Sequence, residues 1–311
     1  MARRLVQAPN TYPTWFDYEA PVSLGFSPKF LTNFPREFLT VSPPPATLCY
    51  RVIEPADYGL RESATNWTEG GRKKYEFTFH ADLPAPANRW TASPRGTVIL
   101  LHGYGLAQFS LAPWALRLAQ EGWRCVLVDL RGHGRSTGKQ IYYGLCETND
   151  LSELLDQLDH DGRLQAPVAA FGESYGAALA LRWQGVEPRV RTVVSIAPYA
   201  SLSNAVMNIR SEYTPWIPKP FVRAGLRKLP VMLAVPPAEL DTATVLARRP
   251  VTALFVAGSD DKIAPAPDVK ALYAQASPGS AWFLVPDATH ESLAYFMADL
   301  VPPVLAWLAR P

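Results

Sequence analysis

Phe171-Gly172-Glu173-Ser174-Tyr175-Gly176-Ala177-Ala178 is the stretch whose reading decides the fold. It follows the apolar run Pro167–Phe171 and opens a series of small residues suited to a helix. A G-x-S-x-G sequence therefore sits at a strand–turn–helix junction, the context this motif requires. Its glycines have a physical cause. The turn is so tight that strand and helix backbones pass each other two residues either side of the serine, where a Cβ would clash. The serine is held in a strained conformation that pushes its Oγ outward. The helix N-terminus adds positive potential beside a developing oxyanion. In isolation the pentapeptide also fits a glycine-rich turn; the context favours a nucleophile.

Working outward, apolar runs of strand length recur at Leu48–Ile53, Tyr75–His80, Gly96–Leu101, Arg124–Leu130, Thr192–Ile196, Thr252–Ala257 and Trp282–Val285. Unbroken runs such as Thr97-Val98-Ile99-Leu100-Leu101 suit strands buried on both faces of a parallel sheet. Between them lie helical patterns. Ser110 is placed to cap a helix carrying Leu111, Trp114, Ala115 and Leu118, which ends near Gly122. Leu151, Leu154, Leu155 and Leu158 stand at i, i+3, i+4, i+7. Strands alternating with helices predict an α/β fold, a mostly parallel, doubly wound sheet of about eight strands. One segment breaks the rhythm. Residues 199–249 carry Trp216, Ile217, Phe221, Met232 and Leu233 among many prolines, and a connection this long is a functional insertion. We expect a small helical cap over the carboxyl edge of the sheet, with Trp216, Phe221 and Met232 lining a substrate pocket. The alternative is that they form the cap's own core. Residues 1–45, rich in proline and aromatics and ending in Pro43-Pro44-Pro45, are expected to form an extended arm on the surface of a domain spanning 46–311.

Composition narrows the function classes. The chain has 311 residues, 48% hydrophobic and 19% charged, which is globular composition. A net charge of +2 gives no warrant for a nucleic-acid or polybasic membrane partner. No run approaches 18 apolar residues, so no transmembrane helix is expected. The cysteines Cys49, Cys125 and Cys146 form neither a disulfide framework nor a zinc motif. Met1-Ala2-Arg3-Arg4 begins like a signal n-region, but no apolar h-region follows. As written the chain reads as cytoplasmic, with an exported or lipid-anchored protein whose signal was removed as the alternative. Its oligomeric state is not legible.

A serine nucleophile needs a base. Of the five histidines, His290 follows the last strand, on a loop at the carboxyl edge. His80 and His160 read as surface residues. The acid is expected before the histidine, and Gly258-Ser259-Asp260-Asp261 offers two carboxylates just past a strand. His102-Gly103-Tyr104-Gly105 follows the first core strand, where the backbone N–H groups of Tyr104 and Tyr175 would meet an oxyanion. His102, His133 and Asp129 lack metal-ligand spacing, so no metal and no cofactor is expected.

These landmarks, with Asp129-Leu130-Arg131-Gly132-His133-Gly134-Arg135-Ser136, resemble the α/β-hydrolase superfamily. The nearest branch is that of monoacylglycerol lipases, serine aminopeptidases and related esterases. The resemblance spans roughly residues 75–310. It implies that the acid is the fourth residue of G-x-x-D, Asp261, and that His102 and His133 are structural or oxyanion elements. Ser174, Asp261 and His290 would then form a triad that cleaves a small-molecule acyl ester through an acyl-enzyme. An aminopeptidase, amidase or thioesterase on the same triad is the alternative. Aminopeptidases bind a substrate amino group with a carboxylate, and Glu212, Glu239 and Asp241 are the carboxylates of the expected cap. A non-catalytic hydrolase fold that binds a ligand is a further alternative.

Overall fold

The chain enters its sheet earlier than the sequence pattern indicates. In the computed structural model, which describes residues 1–11, 28–70, 72–82 and 93–310, a short helix α1 (Ala2–Val6) precedes strand β1 (Glu37–Val41). β1 lies inside the stretch expected as a surface arm, yet it pairs antiparallel with β2 (Ala46–Ile53). Pro43-Pro44-Pro45 belongs to the turn between these strands rather than to an arm. Val6, Ala8, Leu31, Phe34 and Val41 are buried, so this region contributes to the core. Residues 12–27 of the expected arm lie outside the described residues.

The strand expected at Tyr75–His80 exists but not in the main sheet. β3 (Arg61–Glu69) and β4 (Arg72–His80) form a separate antiparallel hairpin. Every residue of β3 is exposed. Phe77 and Phe79 of β4 are buried, and Phe77 meets the Phe296 ring edge-on at 5.1 Å. The alternation that marks a half-buried strand is real, but its partner is a local hairpin.

The rest of the chain alternates as expected: β5 (Thr97–Leu101), α2 (Ala112–Gln120), β6 (Arg124–Asp129), α3 (Glu147–His160), β7 (Val168–Glu173), α4 (Tyr175–Gln184) and β8 (Val190–Ile196). Then come α5 (Leu202–Tyr213), α6 (Lys219–Leu233), α7 (Thr242–Arg248), β9 (Ala253–Gly258), α8 (Ala266–Tyr273), β10 (Ala281–Val285) and α9 (Met297–Leu308). Among the described residues the sheet has eight strands in the order β1-β2-β6-β5-β7-β8-β9-β10. β2 runs antiparallel to β6, and the pairings from β6 across to β10 are parallel. β5 and β9 are buried at every residue, as strands covered by helices on both faces must be. Leu151, Leu154, Leu155 and Leu158 form the buried stripe of α3. Ser110 falls in a 3₁₀ turn (Gln108–Leu111), and α2 begins without a side-chain cap. No helix among the described residues is long and apolar enough to cross a membrane.

Among the described residues the interior also contains the ion pair Arg131–Asp150. Arg131 donates from Nε to Asp150 Oδ2 at 2.7 Å and from Nη2 to Oδ1 at 2.6 Å, and its Nη1 reaches the Pro44 carbonyl at 2.7 Å. The two side chains are 1% and 3% exposed. The pair thus ties the loop after β6 to α3 and to the β1–β2 turn. Removing one partner of a buried pair strands a charge, which typically costs about 3–5 kcal/mol. Asp150→Ala should lose stability on that scale in denaturant unfolding. Asp82→Ala, which breaks the Arg61–Asp82 pair at 66% and 68% exposure, should lose under about 1 kcal/mol. Equal losses would refute this role for Asp150.

Candidate active site

Three loops leave the carboxyl ends of β7, β9 and β10 and converge. The tightest is the β7–α4 turn. Ser174 sits there at φ 51°, ψ −109°, a region that non-glycine residues rarely occupy. Its N–H is satisfied by the Ile196 carbonyl of β8 at 2.8 Å. A Cβ on Gly172 would lie closer than 3.0 Å to the Gly176 carbonyl, and one on Gly176 would collide with the Leu101 carbonyl of β5. The sequence can follow this turn because both positions lack a side chain.

Ser174 Oγ lies 2.8 Å from His290 Nε2. His290 Nδ1 lies 2.8 Å from Asp261 Oδ2. The other carboxylate oxygen, Oδ1, accepts the N–H groups of Ile263 and Ala264, each at 2.8 Å. Asp261 is buried, whereas Asp260 is exposed and accepts from Ser259 Oγ at 3.1 Å. The histidine and acid loops are laced together. Ser259 N–H donates to the Val285 carbonyl at 2.9 Å, and Asp260 N–H to the Ala288 carbonyl at 3.1 Å. From outside, Lys73 of β4 holds Asp287 at 2.5 Å, so the hairpin braces the loop that carries His290.

Tyr104 and Tyr175 stand beside the serine. Tyr175 is its buried sequence neighbour. Tyr104, on the loop after β5, is partly exposed and meets the Tyr175 ring edge-on at 6.4 Å. Gly103 approaches Ser174: a Cβ placed on it would lie 3.7 Å from Ser174 Cβ. Trp216, Phe221 and Met232 are different. They are exposed on the helical insertion. The stripe that α6 buries is Val222, Gly225, Leu229 and Pro230.

His102 and His133 are held beneath the site. The Nδ1–H of His102 donates to the Gly103 carbonyl at 2.8 Å, and its Nε2 accepts the Leu130 N–H at 3.0 Å. Both nitrogens are occupied, so this ring fixes the loop that carries Tyr104. His133 Nδ1 donates to the Arg131 carbonyl at 2.9 Å. Asp129 accepts from Gln108 N and Nε2 at 2.8 and 2.9 Å and from Arg135 N at 2.9 Å, which makes it a loop tie. Sequence reasoning missed Gln108, because a buried glutamine carries no pattern. It also passed over Glu173, whose carboxyl is buried with Oε2 unpartnered among the described residues. Burial pushes Glu173 up to about 7, an effect opposed by nearby His290.

Residues 92–243 match the protein family described as "Serine aminopeptidase, S33". In structure the chain is similar to an esterase of Pyrococcus furiosus, with a TM-score of 0.63 and 18% identity over 93% of this chain and 96% of that one. It is also similar to an enol-lactonase from Burkholderia xenovorans, with a TM-score of 0.55 and 16% identity over 88% of this chain and all of that one (100%). The chain has the α/β-hydrolase fold. Among curated proteins, an uncharacterized protein of Bacillus subtilis, YqkD, is 26% identical over 205 residues, which are 62% of this chain and 64% of that protein. The chain thus spans under two thirds of the length of that relative.

The two buried imidazoles set an acid limit on stability. Burial lowers His102 to about 4. Burial, then repulsion from His102, lowers His133 to about 3. In the unfolded chain both titrate near about 6.5, so below that pH the unfolded state binds more protons. The stability they allow is complete above pH ~6.5 and is lost as pH falls towards the folded values. Glu173 works the other way: its raised value favours the fold at low pH, and that gain is lost as pH rises through about 7. His133→Phe should remove about one proton, up to about 1.4 kcal/mol per pH unit, from the slope of urea-unfolding free energy between pH ~6 and ~5. An unchanged slope would show that His133 is not held neutral.

Proposed function

We propose that this hydrolase cleaves carboxylic acyl esters with Ser174 as nucleophile, His290 as general base and acid, and Asp261 as the group that orients His290. The observation carrying the proposal is the unbroken relay of two 2.8 Å contacts from Ser174 Oγ through His290 to Asp261. Ser174 Oγ bonds to the ester carbonyl carbon while its proton passes to Nε2. The C–O bond then breaks, and the alkoxide leaves with that proton. Water, deprotonated by His290, releases the acid from the acyl-serine. The N–H groups of Tyr175, at the N-terminus of α4, and of Tyr104 are assigned to the oxyanion. The helical insertion between β8 and β9 is assigned as a cap beside this site.

Ester rather than aminoacyl substrates are favoured by the insertion's carboxylates, each of which is already engaged. Glu212 pairs with Lys262 at 3.3 Å. Glu239 pairs with Arg248. Asp241 accepts the Leu202 N–H at 2.8 Å. A substrate ammonium would have to compete with Lys262 and Arg248 for Glu212 and Glu239, and Asp241 already spends Oδ1 on a backbone N–H, which weighs against the aminopeptidase alternative.

A fluorophosphonate probe should label the wild type and not Ser174→Ala. That variant should lose roughly 10⁴–10⁶ in kcat on p-nitrophenyl esters. Absence of labelling in the wild type would favour a non-catalytic fold. Faster turnover of aminoacyl p-nitroanilides than of esters would overturn the ester assignment. Asp261→Asn should cost about 10⁴ in kcat, by comparison with other triad aspartates. Asp260→Asn should stay within about tenfold of wild type; the reverse order would move the acid by one residue.

A further inference from the structure

The insertion concentrates charge that the whole-chain sum conceals. Residues 199–249 hold seven lysines and arginines against three carboxylates, a balance of +4 in a chain whose total is +2. Four of the cations lie on α6, whose fifteen residues include no acid. Lys219, Arg223 and Arg227 stand at i, i+4, i+8 on one row, and Lys228 adjoins it. None of the four has a hydrogen-bond or ion-pair partner among the described residues, although the chain pairs many of its other cations.

Exposed apolar side chains stand on the same exposed side of α6, Val231 between Arg227 and Lys228 and Phe221 beyond Lys228, while Arg223 and Arg227 border the groove against α5. Val231, the next step of that row, is 82% exposed, and Phe221 is 64% exposed. Trp216, at 75% exposure, projects from the turn just before α6. That turn is clamped: Arg210 Nε donates to the Ile217 carbonyl at 2.6 Å, and its Nη2 donates to Pro215. The opposite stripe of α6 is already used, with Gly225 so close to Met1 of the α1 segment that an added Cβ would lie 2.7 Å from Met1 Cγ. The outward face is therefore a preformed surface that combines unpaired cations with aromatic and aliphatic side chains.

We propose that this outward face of α6, with Trp216, docks on an anionic lipid surface. A helix with Lys and Arg beside Trp, Phe and aliphatic groups suits the headgroup boundary, where cations meet phosphates and rings sit among upper acyl carbons. A second copy of this chain fits poorly. Two-fold pairing through α6 would set four unpaired cations against four more, because such an interface presents the same patch on both sides. A nucleic acid would engage the cations but leave Val231, the most exposed apolar side chain here, with nothing to cover it. An acidic protein surface is the remaining competitor, and the test separates it.

The full-length chain should co-sediment with vesicles of phosphatidylcholine mixed with phosphatidylglycerol, but not with phosphatidylcholine alone. Both lipids are used as diethers, which contain no ester, so the result is independent of the proposed ester chemistry. Salt at about 0.5 M should release the protein, since exposed charges are then screened. Arg223→Gln/Arg227→Gln/Lys228→Gln should weaken binding by roughly 100-fold, about fivefold per cation at ~1 kcal/mol each. Val231→Asp should weaken it by at least about tenfold. Both variants should keep the wild-type melting temperature and its rate on a short soluble ester, because the altered side chains are exposed. Absence of binding to the anionic vesicles at low salt would overturn the proposal and leave the face to a protein partner. Binding that persists unchanged in both variants would overturn it, as would a dimer abolished by Val231→Asp.

Discussion

The approach of three backbones at the β7–α4 turn is the constraint from which the rest of the site follows. Gly176 lies against the Leu101 carbonyl, and Gly172 against Gly176 itself. No side chain larger than hydrogen fits at either position while β5, β7 and α4 keep their places. Ser174 is thereby forced to positive φ, a backbone state that costs on the order of 1–3 kcal/mol. The surrounding sheet holds it there: the Ile196 carbonyl takes its N–H, and Ser174's own carbonyl starts the α4 ladder at Ala178. The same geometry that strains the residue lifts its hydroxyl clear of the sheet edge, within reach of a histidine arriving from another strand.

That histidine is positioned by two loops that depend on each other. Gly258, Ser259 and Asp260 run beside Val285 and Ala288, and their backbone hydrogen bonds turn two connections into one ledge. Asp261 closes it by taking two N–H groups on one oxygen and His290 on the other. An aspartate so held cannot swing away, and it fixes the imidazole with Nε2 towards Ser174. The neighbouring Asp260 differs in direction. Asp260 is exposed where Asp261 is buried, a difference that two adjacent aspartates do not show in sequence, so the residues alone left two candidates and only the resemblance chose between them.

Legibility in the sequence followed the range of the interactions. The parallel strands and the G-x-S-x-G junction were readable because continuous burial and a glycine-bound turn leave local signatures. β1 was not, because Glu37–Val41 alternates weakly and owes its place to pairing with β2 across a proline-rich turn. The β3–β4 hairpin was half legible: the alternation at Tyr75–His80 shows a strand but not which partner it takes. On α6 the pattern named Phe221 and Met232 as apolar without saying which way they face. Val222, Gly225 and Leu229 won the inner stripe because they allow close packing, with Gly225 admitting the α1 segment.

The insertion is bonded to the relay at the turn that holds Asp261. Asn208 of α5 donates to the Ile263 carbonyl at 3.1 Å, and Glu212, one turn further on, pairs with Lys262. Both partners belong to the turn that holds Asp261, and the N–H of Ile263 is itself one of the two donors to Asp261 Oδ1. The lysine–glutamate pair is solvent-accessible and contributes little to stability. The Asn208 contact is part-buried, and it acts on a carbonyl whose peptide neighbours are already committed to the aspartate. A displacement of α5 thus reaches the turn of Asp261 through Ile263 and Lys262, whereas α6 packs chiefly against α1 and α5. Of the helices of the insertion, α5 is thus the one bonded directly to the turn that orients His290 through Asp261.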